Sequence, residues 1–455
     1  MLRSIAVLLL AAELAAAHAD TVKGAVIFSR HGDRTWKGAP PTTLTAVGQQ
    51  QLYNSSTYWR SRWLDSVSGY QIVNLSEDVY NSAQFSAATP DQPLLVTSGQ
   101  VFLQGLYPPL NETSEHPLSG YQYVPLATIP SDSPASIWLK GDDGCPAYDD
   151  LADRWNSTAE FKALEASTKD FYLSFYDNIF AGVLPKSKLS YSNAYNIFDY
   201  VNVGMVHNKT ISNSISQEEL FQLRTLADSA EWAKAGAISS ANDPLAVSGL
   251  TFSSKVLQQL QAIVDSKGTK NLLNVNIGSY DTMLSFFALA GLPSVNANFY
   301  GLPDYASTLA FELYSHTDAF PGDLSELKVR FLFRNGTDAP AESFRLFDSS
   351  TAALSWADFK AGMEKISLKS VEEWCAFCSS TEDYCLPYKQ ETRAVTKEVA
   401  GVIGAVVTLG VLIVAAVVAA VAGVRISRRT KLGSVAVIAG GKQFDEASSY
   451  AGSKL

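Results

Sequence analysis

Residues 30–34 read Arg-His-Gly-Asp-Arg and follow, after Ser29, on the apolar run Ala25-Val26-Ile27-Phe28. Two guanidinium forks flanking an imidazole suit a tetrahedral oxyanion, because each fork can donate two parallel hydrogen bonds. A neutral imidazole between them can attack phosphorus and carry the phosphoryl group covalently. Gly32 is expected to let the backbone turn closely, in a conformation that a side chain would strain. The chemistry this pattern predicts is phosphoryl transfer, with His31 as nucleophile and Arg30 and Arg34 as clamps.

Such a cluster needs a strand to present it, and an apolar run ending abruptly in charge is the mark of a buried strand whose end opens on a crevice. A helix is expected from about Thr45 to Leu64, with Leu52, Trp59 and Trp63 on its apolar face. "SGQVFLQGLYPP" reads as a second helix, stopped by Gly105 and the Pro108-Pro109 pair. Residues 111–260 change character: Phe161, Leu164, Phe171 and Phe175 recur at helical spacing, and Ser216-x-x-Glu219 is a capping box. "LTFSSKVLQQLQAIV" is a further amphipathic helix. Strand character returns in "LLNVNIGSYDT", then in "TLAFELY" and "LKVRFLF". The pattern predicts an α/β domain over 20–110 and 261–370, a central mixed sheet flanked by helices, interrupted by a mainly helical insert over 111–260.

The ends of the chain carry different signals. Residues 1–19 have Arg3, an apolar run and Ala17-His18-Ala19, which reads as a secretory signal peptide with its cleavage site. Val399–Val424 holds no charged residue, and its 26 positions exceed the ~20 needed to cross a bilayer. Arg425, Arg428, Arg429 and Lys431 follow, placing 425–455 on the cytosolic side. A single-pass type I membrane protein is expected, its main domain extracellular or lumenal, with plasma membrane and vacuole both open. Six N-x-S/T sites, at Asn54, Asn74, Asn111, Asn156, Asn208 and Asn335, lie between signal and span. Cys145, Cys375, Cys378 and Cys385 lie on the oxidising side, three of them in the segment 371–398 before the span. They are expected to form two structural disulfides, with three possible pairings.

A net charge of −10 and a pI near 5.1 argue against nucleic acid as a partner. No cluster of metal-ligand spacing is present, so no cofactor is expected, and nothing indicates the oligomeric state.

With these motifs in place, the chain resembles the histidine acid phosphatases, branch 2 of the histidine phosphatase superfamily, whose signature is Arg-His-Gly-x-Arg. "SGQVFLQGLYPP", "NIGSYDTMLSFFALAGL", "TLAFELY" and "VRFLFRNG" carry the likeness onward, from about residue 22 to about 334. The helical insert and tail are similar to those of filamentous-fungal membrane-anchored members. The resemblance implies a phosphoglycerate mutase-like fold and hydrolysis of phosphate monoesters through a phosphohistidine on His31. It implies that Arg30 and Arg34 hold the phosphoryl oxygens, that Asp281 protonates the leaving alcohol, and that no metal is needed.

Three positions depart from the family pattern. Leu94 stands where the family has a third phosphate-binding Arg. Tyr280 stands where its second His would precede Asp281, and Trp36 replaces a Pro that closes the first motif. Tyr280 keeps one hydroxyl donor for a phosphoryl oxygen but no charge, and Lys37 is the candidate substitute cation. His316 lies in the connection after "TLAFELY", away from the strand-to-helix junction of Tyr280-Asp281, and His116 and His207 in the insert are read as surface or packing residues. Two readings follow: a membrane-anchored phosphomonoesterase of reduced activity, or a degenerate member that binds phosphate-bearing ligands or serves at a cell surface or wall.

Overall fold

The computed structural model describes residues 20–111 and 118–389. The signal (1–19), His116, residues 390–398, the span at 399–424 and the tail at 425–455 lie outside the described residues. Among the described residues no helix is long and apolar enough to cross a membrane.

The strand β1, Thr21–Arg30, is buried along almost its whole length and forms the centre of the sheet. Strands buried on both faces read as continuous apolar runs, which is why Val26-Ile27-Phe28 stood out. The others are β2 (Phe85–Pro90), β3 (Ala127–Ile129), β4 (Leu273–Gly278), β5 (Thr308–Ser315), β6 (Lys328–Arg334), β7 (Glu342–Phe344) and β8 (Ala353–Ser355). Their order is β3-β2-β4-β1-β5-β6-β7, with β8 beside β6. β3, β2, β4 and β1 run parallel, and β5 onward antiparallel, so the sheet is mixed.

Helices cover both faces. Strand residues alternate between faces, and β5 shows which side each helix takes. Thr308 accepts from Trp59 Nε1 at 3.0 Å and Glu312 from Trp63 Nε1 at 2.6 Å, so that face belongs to α1, Ala46–Trp63. α1 packs on α2, Pro93–Leu106. Phe311 faces the other way, against Phe252 and Phe286.

α2 runs through Gly105 instead of stopping there. A Cβ at that position would lie 1.8 Å from Ser56 Oγ, so this glycine lets α1 and α2 approach closely, and the helix ends at Tyr107.

The helical layer comprises α3 (Pro146–Trp155), α4 (Ala159–Ser174), α5 (Ala194–His207), α6 (Lys209–Ser214), α7 (Gln217–Ala235) and α8 (Val247–Asp265). The capping box opens α7 as expected. α8 carries Phe252 and packs on β1 and on α9, Tyr280–Leu289, so residue 261, the expected resumption of the α/β part, falls inside a helix that already covers the sheet. The chain continues through α10, Trp356–Lys365, and α11, Val371–Cys378. Disulfides Cys145–Cys378 and Cys375–Cys385 use all four cysteines. The first staples α11 to the start of α3, helped by Trp374 Nε1 donating to the Gly141 carbonyl at 2.8 Å, and the second ties α11 to the turn at 383–388.

Candidate active site

β1, β2 and β4 are parallel, so Arg30, Pro90 and Gly278 end at one edge of the sheet. Each is followed by a residue singled out from sequence: His31 after β1, Leu94 in the first turn of α2, and Tyr280 and Asp281 in the first turn of α9. The His31 amide donates to Gly278 O at 3.2 Å, and its carbonyl accepts from Ala306 N at 3.0 Å. The nucleophile's backbone is thus pinned between β4 and the segment leading into β5.

Gly32 is needed for closeness, not for a left-handed backbone. It is not among the positive-φ glycines, but a Cβ there would lie 2.4 Å from Gly48 O, and one on Gly48 would lie 2.1 Å from Asp33 O. The two glycines seat the motif on the first turn of α1. Thr45 caps that turn, accepting from Gly48 N at 3.0 Å.

His31 is 4 % exposed. Its Nδ1 lies 2.8 Å from the Gly32 carbonyl, which can only accept, so Nδ1 carries the proton and Nε2 keeps its lone pair. Burial, then Arg30 and Arg34, hold the imidazole's pKa well below its ordinary value of 6.5. Both effects favour the neutral ring, the form that attacks phosphorus.

The two arginines are not equivalent. Arg34 Nη1 donates to Asp199 Oδ2 at 2.8 Å and to Thr35 O at 3.0 Å, and Nη2 donates to Tyr195 Oη at 3.0 Å. Burial opposes its charge, but Tyr305, Tyr195 and Asp199 outweigh burial and raise its pKa. Asp199, from α5, also accepts from Lys37 N at 2.9 Å and Tyr305 Oη at 3.2 Å. Arg30 donates through Nη1 to Pro303 O, while its buried Nε has no partner among the described residues. That open donor is what an incoming oxyanion would take. The Arg30 guanidinium stacks 4.6 Å from the Tyr305 ring centroid and 5.0 Å from that of Tyr280.

Tyr280 is buried and tilted against Tyr195, ring centroids 5.2 Å apart, and its hydroxyl donates to Glu231 Oε2 at 2.7 Å. In this structure that hydroxyl serves a carboxylate rather than a phosphoryl oxygen. The charge of Asp281 is felt at Lys140, Asp142 and Tyr148. Asp142 is half-buried and accepts from Ser248 Oγ at 2.8 Å; desolvation, then Asp281, push its carboxyl up. Lys37 is exposed at the rim, its Nζ 5.4 Å from the Tyr195 ring and 6.0 Å from that of Tyr280. Leu94 is half-buried.

His316 sits at the far end of β5, with Nδ1 3.2 Å from Asp20, away from the site as expected. His207 departs from its expectation: its Nε2 lies 2.6 Å from Asp33 Oδ2, inside the motif itself. Asn54, Asn74, Asn111, Asn156, Asn208 and Asn335 are all exposed.

Sequence reasoning missed Asp199, Glu231, Tyr195 and Tyr305. None has a motif, and the three on the insert lie about 160 to 200 positions from the first motif. Only folding brings α5 and α7 over the sheet edge.

The match of residues 35–334 to the model of "Histidine phosphatase superfamily (branch 2)" covers more than half of the chain. The chain belongs to that superfamily branch. Prostatic acid phosphatase of Homo sapiens is 23% identical over 339 residues, spanning 70% of this chain and 79% of that protein. Among solved structures, the phytase of Klebsiella sp ASR1 is similar with a TM-score of 0.54 at 11% identity, covering 77% of this chain and 97% of the other. The phytase of Citrobacter braakii gives a TM-score of 0.50 at 14% identity, covering 79% and 99%. At such identity these structures speak to the fold alone.

Proposed function

We propose that this branch 2 histidine phosphatase is an acid phosphatase-type phosphomonoesterase acting through a phosphohistidine on His31. The observation that carries this reading is the buried, neutral imidazole with Nδ1–H held on the Gly32 carbonyl and Nε2 free. Nε2 attacks phosphorus, the ester P–O bond breaks, and water then cleaves the phosphohistidine. Arg30 offers its unpartnered Nε to a phosphoryl oxygen, and Arg34 adds charge within a neutralised pair. The leaving oxygen takes its proton from the start of α9, where Tyr280 and Asp281 stand.

Activity below the family's norm is part of the proposal. Losing one preorganised donor at a developing charge typically costs ~10²–10³ in rate, and Leu94 supplies none. The cavity beside Arg30 sets Asp33, Asp199, Asp304 and Asp338 against Arg30 and Arg224, which favours a substrate with one phosphate over a densely anionic one. Two disulfides and six exposed sequons support an extracellular or lumenal setting, with the apolar stretch 399–424 as the anchor.

A second reading, ligand binding without turnover at a cell surface or wall, is favoured by the Arg34–Asp199 pair, which occupies one clamp internally. Hydrolysis of 4-nitrophenyl phosphate by the purified protein across about pH 3 to 8, with acid-labile label trapped on His31, separates the two. Turnover that survives His31→Ala would overturn the mechanism, and its complete absence would favour the binding reading.

A further inference from the structure

Tyr280, buried, and Glu231, half-buried, form a hydrogen-bonded dyad beside Arg30. The Tyr280 hydroxyl lies 2.7 Å from Glu231 Oε2, and the Tyr280 ring lies 5.0 Å from the Arg30 guanidinium. The Glu231 side chain is 12% exposed and faces a cavity of about 200 Å³ that it lines with Tyr280, Lys37, Asn193, Asn196 and Lys234. Asp281 stands one residue on, and its charge is felt at Lys140, Asp142 and Tyr148 as well as at Tyr280.

We propose that the Tyr280–Glu231 dyad supplies the leaving-group proton in the reaction proposed above, on which this inference rests. The cavity of about 200 Å³ receives the departing alcohol, a polar one whose hydroxyls suit Asn193, Asn196 and the two lysines. The Nε2–P bond forms as the P–O ester bond breaks, and the electron pair stays on the ester oxygen. That oxygen takes the Tyr280 hydroxyl proton while the Tyr280 oxygen takes the proton of a protonated Glu231. The alcohol leaves neutral, and Glu231 ends as a carboxylate. In the second half, water attacks phosphorus and passes its proton through Tyr280 back to Glu231, and the N–P electron pair returns to Nε2. The transfer is concerted, because burial, then Glu231, hold the phenol far above its ordinary pKa and disfavour a free phenolate.

The test compares glycerol 2-phosphate with 4-nitrophenyl phosphate, whose leaving group needs little protonation. Glu231→Gln keeps an acceptor for Tyr280 but has no proton to give. Glu231→Gln and Tyr280→Phe should each lower kcat on glycerol 2-phosphate ~10²-fold more than on the nitrophenyl ester. Asp281→Asn should affect the two substrates alike. Two independent variants guard against one failing to fold. The dyad is overturned if Asp281→Asn shows the selective loss and Glu231→Gln does not. Wild-type protein without His31-dependent hydrolysis of either ester overturns the phosphatase reading and this inference together; hydrolysis blind to both dyad variants overturns this one alone.

Discussion

Asp199→Asn tests what the helical insert does to the phosphate site. Arg34 and Asp199 are each 3% exposed in their side chains, and Nη1 and Oδ2 are 2.8 Å apart. Asparagine keeps one oxygen acceptor for Lys37 N or Tyr305 Oη but removes the counter-charge. A buried charge stripped of its partner typically costs ~3–5 kcal/mol, so the variant should be destabilised by about that much. The guanidinium then lacks an anion, and an added phosphate can supply one. An anion present at 100 times its dissociation constant returns ~2.7 kcal/mol, a large part of the loss. Urea unfolding of wild type and variant would be followed with phosphate or chloride at matched ionic strength near neutral pH. The expected result is a lower midpoint for the variant in chloride and a larger phosphate-induced rise than in wild type. Equal midpoints in chloride would refute the buried-pair argument. Equal phosphate responses would show that Arg34 does not reach the anion site.

Leu94→Arg places a guanidinium in the first turn of α2 at the same sheet edge as His31; kcat/KM for 4-nitrophenyl phosphate should rise about tenfold or more, and only with His31 present. Glu312→Gln should cost ~3–5 kcal/mol, because this fully buried carboxylate takes Arg62 Nε at 2.6 Å, Trp63 Nε1 at 2.6 Å and Arg330 Nε. Burial opposes its charge, but Arg62, Arg330 and Trp63 prevail and lower its pKa, so its contribution is full above the ordinary value of 4.5 and fades as pH falls through the folded value. Wild type should therefore lose more stability on acidification in that window than Glu312→Gln, as read by unfolding at stepped pH. Reducing Cys145–Cys378, which closes a loop of 233 residues, should cost ~2–5 kcal/mol, measured as a fall in the urea midpoint. Folded, unreduced protein should show no alkylatable thiol by mass spectrometry.

The local sequence by itself determined the elements and the chemistry that sits at their ends. Val26-Ile27-Phe28 reads as a buried strand, and Arg-His-Gly-Asp-Arg after it points to an oxyanion site with a nucleophile. Ser216 and Glu219 set the start of α7 because a capping box needs only neighbours three apart in the chain. Even the even cysteine count was enough to expect two disulfides, though not which pairs. What the local pattern could not determine was the electrostatic balance of the pocket. Asp199 and Glu231 look like ordinary helix-surface acids until α5 and α7 are laid across the sheet edge, where one neutralises Arg34 and the other takes the Tyr280 hydroxyl. The constraint on Gly32 is tertiary for the same reason: it comes from the Gly48 carbonyl, a contact made by packing α1 and not by the turn. Charge–charge energies in a buried site depend on separations of a few ångströms between groups far apart in the chain, and only the tertiary fold sets those separations.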